Sequence, residues 1–304
     1  VTKNNALQKD LASLPRSARW LMSARPKTLG LSVVPVLAGT WIAALSGAFR
    51  PDVLGIAIFA ACAIQIGTNL WNDAADAKRG TDGPDRLGPP RMTSTGLLEA
   101  RHVFAAARLA FLCAAGAGLY LTWLGGWPIL ILGLLSLAMG YLYSMGPWPL
   151  SASPFGEILV VAFFGIAAVT GTAHLHGMPP DGQVILLGLI IGLPAAAVLL
   201  VNNHRDRNQD AATGRRTLAI RIGVAASRVF FALLLLCAAG GSFAFAPPSS
   251  GRALIFTPVL LLAFWLIRAM FRLPVSARLN RLIPATSVFQ ALCLAAMVGS
   301  DIVF

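Results

Sequence analysis

Residues 66–82 read IGTNLWNDAADAKRGTD, and residues 201–217 read VNNHRDRNQDAATGRRT. Each follows an apolar run long enough to cross a membrane. Each also gathers amides and aspartates: Asn69, Asn72, Asp73 and Asp76 in the first, Asn202, Asn203, Asp206 and Asp210 in the second. The chain has only 12 acidic residues, so placing four of them in these two clusters is a concentration that asks for a cause. A carboxylate at the centre of a membrane helix costs roughly 2.5–3.5 kcal/mol on insertion scales, and ionisable groups near such segments are retained where they work. Long apolar runs that end in acidic clusters point to a membrane protein with a chemical site.

Outward from these stretches, the 304-residue chain is 57% hydrophobic and 12% charged, which excludes an ordinary soluble domain. Nine segments approach spanning length: about 28–46, 53–71, 103–123, 128–143, 154–173, 183–201, 226–246, 253–271 and 283–304. Hydrocarbon offers no partners to backbone N–H and C=O groups, so these segments must be helices. The expected fold class is an all-α integral membrane protein of about nine transmembrane helices. Residues 28–304 form a single transmembrane domain, and residues 1–27 form a polar, basic N-terminal arm. Leu7, Leu11 and Leu14 share a helical face in that arm, which predicts a short amphipathic helix rather than a signal peptide.

The net charge of +12 is distributed in a way that argues against a nucleic-acid partner. With nine alternating helices, the basic residues collect on one side. They lie in the arm, in the loop after the second segment (Lys78, Arg79, Arg86, Arg91, Arg101) and in the loop after the sixth (Arg205, Arg207, Arg215, Arg216, Arg221). Arg50 and Arg252 fall on the other side. The positive-inside rule then places the N-terminus and both clusters in the cytoplasm and the C-terminus outside, in a multi-pass protein of the cell's inner membrane. No obligate protein partner is evident. The four cysteines, Cys62, Cys113, Cys237 and Cys293, all fall inside spans and read as small buried apolar residues.

Positions three and four apart share a helix face, so each cluster forms a stripe at a helix end. Neither stripe has the His or Cys partners of zinc or the glycine-centred loop of a calcium hand. Oxygen donors alone, few per ion, suit Mg²⁺ that completes its shell with water and phosphate oxygens. Lys78, Arg79, Arg205, Arg215 and Arg216 are placed to bind the same phosphates. Snorkelling cations paired with carboxylates are the structural alternative.

These two motifs with their flanks resemble the UbiA superfamily of intramembrane prenyltransferases. The matching residues are Asn72-Asp73-Ala74-Ala75-Asp76 after the second segment and Asp206-Arg207-Asn208-Gln209-Asp210 after the sixth. Arg25-Pro26-Lys27-Thr28-Leu29, Arg86-Leu87-Gly88-Pro89-Pro90-Arg91 and Arg216-Thr217-Leu218-Ala219 look most like the branch that prenylates 1,4-dihydroxy-2-naphthoate. The resemblance implies a helical bundle with a central cavity open to the cytoplasmic side. It also implies transfer of a long isoprenyl chain from polyprenyl diphosphate to an aromatic acid acceptor, giving demethylmenaquinone, with Mg²⁺ as cofactor. Asn72, Asp73 and Asp76 would then hold one ion, and Asp206 and Asp210 a second, with the four aspartates as the catalytic carboxylates. Arg25, Lys27, Asn69, Lys78, Arg79, Asn202, Arg205 and Arg216 would bind substrate. Asp82 would take the role of a third aspartate, because Gly80 stands where the family usually has one. Trp148 stands where relatives often carry a base, and His204 stands at a usually aliphatic position.

Other residues carry weaker expectations. Glu157 beside Gly156 reads as polar lining of the cavity; Trp71, Trp123 and Trp127 as interfacial belt residues; Gly188 and Gly192 as helix-packing positions. His174 and His176 fall on the opposite side from the clusters. The rival functions are prenylation of 4-hydroxybenzoate, secondary transport and head-group transfer. Transport would need ionisable groups at mid-depth and on both faces, whereas nearly all charge lies on one.

Overall fold

The computed structural model describes residues 11–80, 86–143, 149–248 and 251–302. Among these residues the chain is helical throughout, without strands. A short helix α1 (Arg16–Ala24) turns into α2 (Gly30–Leu45), followed by α3 (Pro51–Arg79), α4 (Ala100–Gly125) and α5 (Trp127–Leu142). Then come α6 (Gly156–Leu175), α7 (Gly182–Ala212), α8 (Leu218–Phe245), α9 (Arg252–Arg272) and α10 (Leu282–Ile302).

Every one of the nine apolar segments is occupied by a helix, but not every helix is a full span. Seven are long and apolar enough to cross a membrane, and the pair Arg16–Thr28 and Gly30–Leu45, bent by 46°, makes an eighth if taken as one span. The fourth segment is short: α5 has 16 residues, a rise of about 24 Å against a hydrocarbon thickness of about 30 Å. Helices α3 and α7 err the other way. With 29 and 31 residues they rise about 44 and 46 Å, overshooting the hydrocarbon by roughly 15 Å. In each, the surplus corresponds to the last eleven or so residues, Asn69 to Arg79 and Asn202 to Ala212. The polar clusters are therefore the continuation of spanning helices, held rigidly at their ends.

Helix α7 is the central element, packed on α2, α6, α8 and α10. Lipid-embedded helices have little hydrophobic drive to associate, so small residues at crossings matter. A Cβ added at Gly188 would stand 2.7 Å from the Ile166 Cα, and one at Gly192 3.0 Å from the Gly165 Cα. The expected packing role of Gly188 and Gly192 is met at the α6–α7 crossing. There α6 makes a π-helical turn over Ala162–Ala167, a local widening common near functional sites. Gly39 does the same for α2, where an added Cβ would lie 2.8 Å from the Thr172 Cβ.

Trp71 departs from expectation. It is buried and packs against Phe104, Phe111 and Tyr141, because α3 runs on past it and turns that face toward α4. Trp123 and Trp127 are about three-quarters exposed (76% and 75%), as belt residues should be. Cysteines also divide: Cys293 is buried, whereas Cys113 and Cys237 are exposed on the outer helix faces.

Candidate active site

The N-terminal arm is part of the site. Leu11 is buried and Leu14 packs beside it in a cluster with Trp71 and Ala74; Leu7 lies outside the described residues. Residues 11–13 are helical, and a separate helix follows at Arg16–Ala24. Its last turn reaches the first stripe, where the Ser23 hydroxyl donates to Asp73 Oδ2 at 2.7 Å. The Asn69 amide donates to the Ala24 carbonyl at 2.9 Å. The second Asp73 oxygen accepts from the Thr93 backbone N–H at 3.3 Å. Asp76 is ion-paired with Arg91 at 2.5 Å. Arg25 follows in the left-handed region at φ 54°, the only such non-glycine among the described residues. That conformation costs about 1–2 kcal/mol and tends to be retained at functional sites. Here it turns the chain between α1 and α2 and sets Arg25 at the mouth of a cavity.

The second stripe is held by its own cations. Arg205 is buried and grips Asp206 with Nε at 2.7 Å and Nη2 at 2.5 Å. Arg215 donates to Asp210 at 2.9 Å and to the Ser151 hydroxyl at 3.2 Å. The Arg216 N–H donates to the Ala152 carbonyl at 2.8 Å, so the turn after α7 is stapled to the loop after α5. Trp148 lies outside the described residues, but Arg215 brings a guanidinium to this loop.

The two stripes converge. Asp210 lies within electrostatic range of both Asp206 and Asp76, and Arg215 within range of Asp76. Tyr143, just past the end of α5, senses Arg215, Glu157, Asp76 and Arg25 together. Below these groups lies a cavity of about 500 Å³. Arg25, Asn69, Asn72, Tyr143 and Asn202 line it at the polar end, and most of the rest of its wall is apolar, with a few hydroxyls and the Gln65 amide among it. Leu119 on α4 and Leu134 on α5 line the cavity.

Some expected residues stand apart. Lys27, Lys78, Arg79 and Arg216 are exposed and do not line the cavity. Asp82 lies outside the described residues. Glu157 is absent from the cavity wall; it is buried and accepts from the Asn203 amide at 2.9 Å, a structural tie between α6 and α7. His204 is fully buried and neither ring nitrogen has a partner; the structure offers no role for it. His176 is structural, bonded to the Thr40 hydroxyl at 3.0 Å and accepting from the Arg50 N–H at 3.1 Å. Ser23, Thr93 and Asn280 join the site or its supports without a signal in either motif. Ser23, two residues before Arg25, was the nearest to being found.

Among the described residues, no three His, Cys, Asp or Glu side chains stand together as a ready cation site. Each aspartate is instead engaged by a donor of the chain itself. In kind, the donors still fit a hard divalent cation, since amide and carboxylate oxygens gather without nitrogen or sulfur ligands.

An apolar cavity inside a helical bundle, capped by facing carboxylates and guanidiniums, defines a multi-pass membrane enzyme for an amphiphile with an anionic head. The comparisons are specific about which kind. The chain belongs to the UbiA prenyltransferase family, whose model matches residues 32–289. It is 37% identical over 222 residues to the 1,4-dihydroxy-2-naphthoate octaprenyltransferase of Mycobacterium tuberculosis, covering 73% of this chain and 75% of that one. It is 35% identical to the enzyme of the same name from Escherichia coli, over 73% and 74% of the two chains. Among solved structures, the fold matches a UbiA homologue from Aeropyrum pernix with a TM-score of 0.64 at 16% identity, covering 95% of this chain and 100% of that one. A homologue from Archaeoglobus fulgidus bound to DMAPP and Mg²⁺ matches with 0.63 at 14%, over 94% and 100%.

Proposed function

We propose that the chain transfers a long isoprenyl group from polyprenyl diphosphate to 1,4-dihydroxy-2-naphthoate, releasing diphosphate and CO2 and yielding demethylmenaquinol, the reduced form of demethylmenaquinone. The observation that carries this reading is the cavity itself, greasy along its length and ending where the two aspartate helices meet. An isoprenyl tail fills the apolar part, and its diphosphate is left at the mouth. The names of the relatives supply the acceptor class.

In this reading the allylic C–O bond breaks and the diphosphate leaves with the electron pair. An electron-rich ring carbon forms the new C–C bond, and loss of the carboxylate as CO2 restores aromaticity. Charge growing on the leaving oxygens must be neutralised by preorganised groups. In this reading Arg25, at the polar end of the cavity, and Arg205, held between Asp206 and Asn280, serve that task, with Lys78, Arg79 and Arg216 adding positive potential. Lys27 and Arg25 are positioned for either the diphosphate or the acceptor's carboxylate. Asn72, Asp73 and Asp76, with Asp206 and Asp210 opposite, would hold Mg²⁺, which supplies Lewis-acid neutralisation of the diphosphate. Tyr143 lines the polar end, where in this reading its ring shields a developing cation. Water exclusion falls to the aliphatic wall. The charge asymmetry of the loops supports a mouth on the cytoplasmic side of the inner membrane.

The test is prenyl transfer in membranes expressing the chain, with dihydroxynaphthoate or 4-hydroxybenzoate as acceptor and Mg²⁺ present. Product with the naphthoate is expected. Product only with hydroxybenzoate overturns the acceptor, and no product with either overturns the activity.

A further inference from the structure

One side chain joins three separate parts of the site, and it belongs to neither aspartate motif. Asn280 lies in the 3₁₀ turn Ala277–Arg281 that precedes α10. Its Oδ1 accepts from Arg205 Nη1 at 2.5 Å, and its Nδ2 donates to the Leu87 carbonyl at 2.9 Å. Arg205 is already committed along its other edge to both oxygens of Asp206. The guanidinium is thus pinned on two sides, with Asn280 as the second pin. The 86–91 loop lies directly on it: a Cβ added at Gly88 would stand 2.9 Å from Arg205 Nη2 and 3.1 Å from Arg86 Nη2. Further along, the same loop sends Arg91 to Asp76 on the opposite stripe.

The geometry points to Asn280 as a positioning residue for the diphosphate-binding groups: it clamps the 86–91 loop onto Arg205, so that one loop spans both aspartate stripes. The inference rests on the functional reading above for what the clamped groups bind. The chemistry requires an amide. A carboxylate at this position could accept from Arg205 but could not donate to the Leu87 carbonyl, and an aliphatic side chain could do neither. The contact ties α7, the loop after α3 and the entry to α10 across 75 and 193 residues of chain.

The test uses the full chain in lipid nanodiscs, with hydrogen exchange across residues 86–92 and steady-state kinetics with farnesyl diphosphate and dihydroxynaphthoate. Asn280→Asp keeps the Arg205 arm and loses the loop arm. Its loop amides should exchange faster, and the KM for farnesyl diphosphate should rise about tenfold, the worth of one such hydrogen bond. The KM for the naphthoate and kcat should stay near wild type. Gly88→Ala leaves Asn280 in place but lifts the loop by crowding, and should give the same split. Loop exchange in both variants equal to wild type overturns the proposal. A fall in kcat with the donor KM unchanged overturns it as well. If the wild-type chain transfers to neither acceptor while the variant loops still exchange faster, the clamp stands and the functional reading fails.

Discussion

Asp73 takes the Ser23 hydroxyl on one oxygen and the Thr93 N–H on the other, whereas Asp206 is gripped along both oxygens by its neighbour Arg205. Each carboxylate has an assigned geometry, so neutralising it removes charge with little change in shape. Asp73→Asn and Asp206→Asn should each lower turnover by about 100-fold or more while leaving membrane expression intact, a loss of the size seen when one electrostatic stabiliser is removed. Near-normal rates in both, measured in the prenyl-transfer assay, would refute their placement at the leaving group.

At the scale of elements, the site depends on where helices stop and how closely they cross. The acidic stripes were legible because i, i+3 and i+4 spacing is a local property, visible in Asn69-Asn72-Asp73-Asp76 without knowing any partner. The supports were not. Ser23 meets Asp73 across 50 residues, and Thr93 meets it across 20, through contacts that leave no periodic trace. Trp71 was misread for a related reason. A belt position is inferred from where an apolar run ends, but α3 continues as a polar helix to Arg79, so Trp71 faces α4 instead of the interface. Two element-level outcomes follow from the packing. Ser23→Ala frees one Asp73 oxygen from a charge-assisted bond of about 1.5–3 kcal/mol, and should slow transfer with the protein still folded. Gly192→Leu forces the α6–α7 crossing apart and should destabilise by about 1–3 kcal/mol or more. Gly116→Ala on α4, where an added Cβ meets nothing within 4 Å, should melt at or slightly above wild type, and both are read by thermal unfolding in detergent.

The whole molecule combines a polar mouth with a deep apolar cavity, and depth is where substrate length is set. Gly118 on α4 and Gly133 on α5 line the cavity toward the end of the bundle away from the aspartates, and a Cβ at either meets open space. Gly118→Leu and Gly133→Leu should therefore fold normally and still accept geranyl diphosphate, while transfer from long polyprenyl donors falls about tenfold or more, as expected when apolar room worth a few methylenes is lost. Equal losses for short and long donors would show that the tail does not run this way. The fold class and both stripes could be read from composition and spacing. The cavity wall could not, because it is assembled from mostly apolar residues on α2 to α7 that look like any other membrane-helix interior. The polar end of that cavity draws on residues from Ser23 to Asn280. During synthesis, then, the first and last parts of the site leave the ribosome some 257 residues apart. A half-inserted chain has its aspartates in the bilayer but lacks the turn that fixes Arg205, so it cannot ionise an allylic diphosphate efficiently and squander it to water before the last helix is in place.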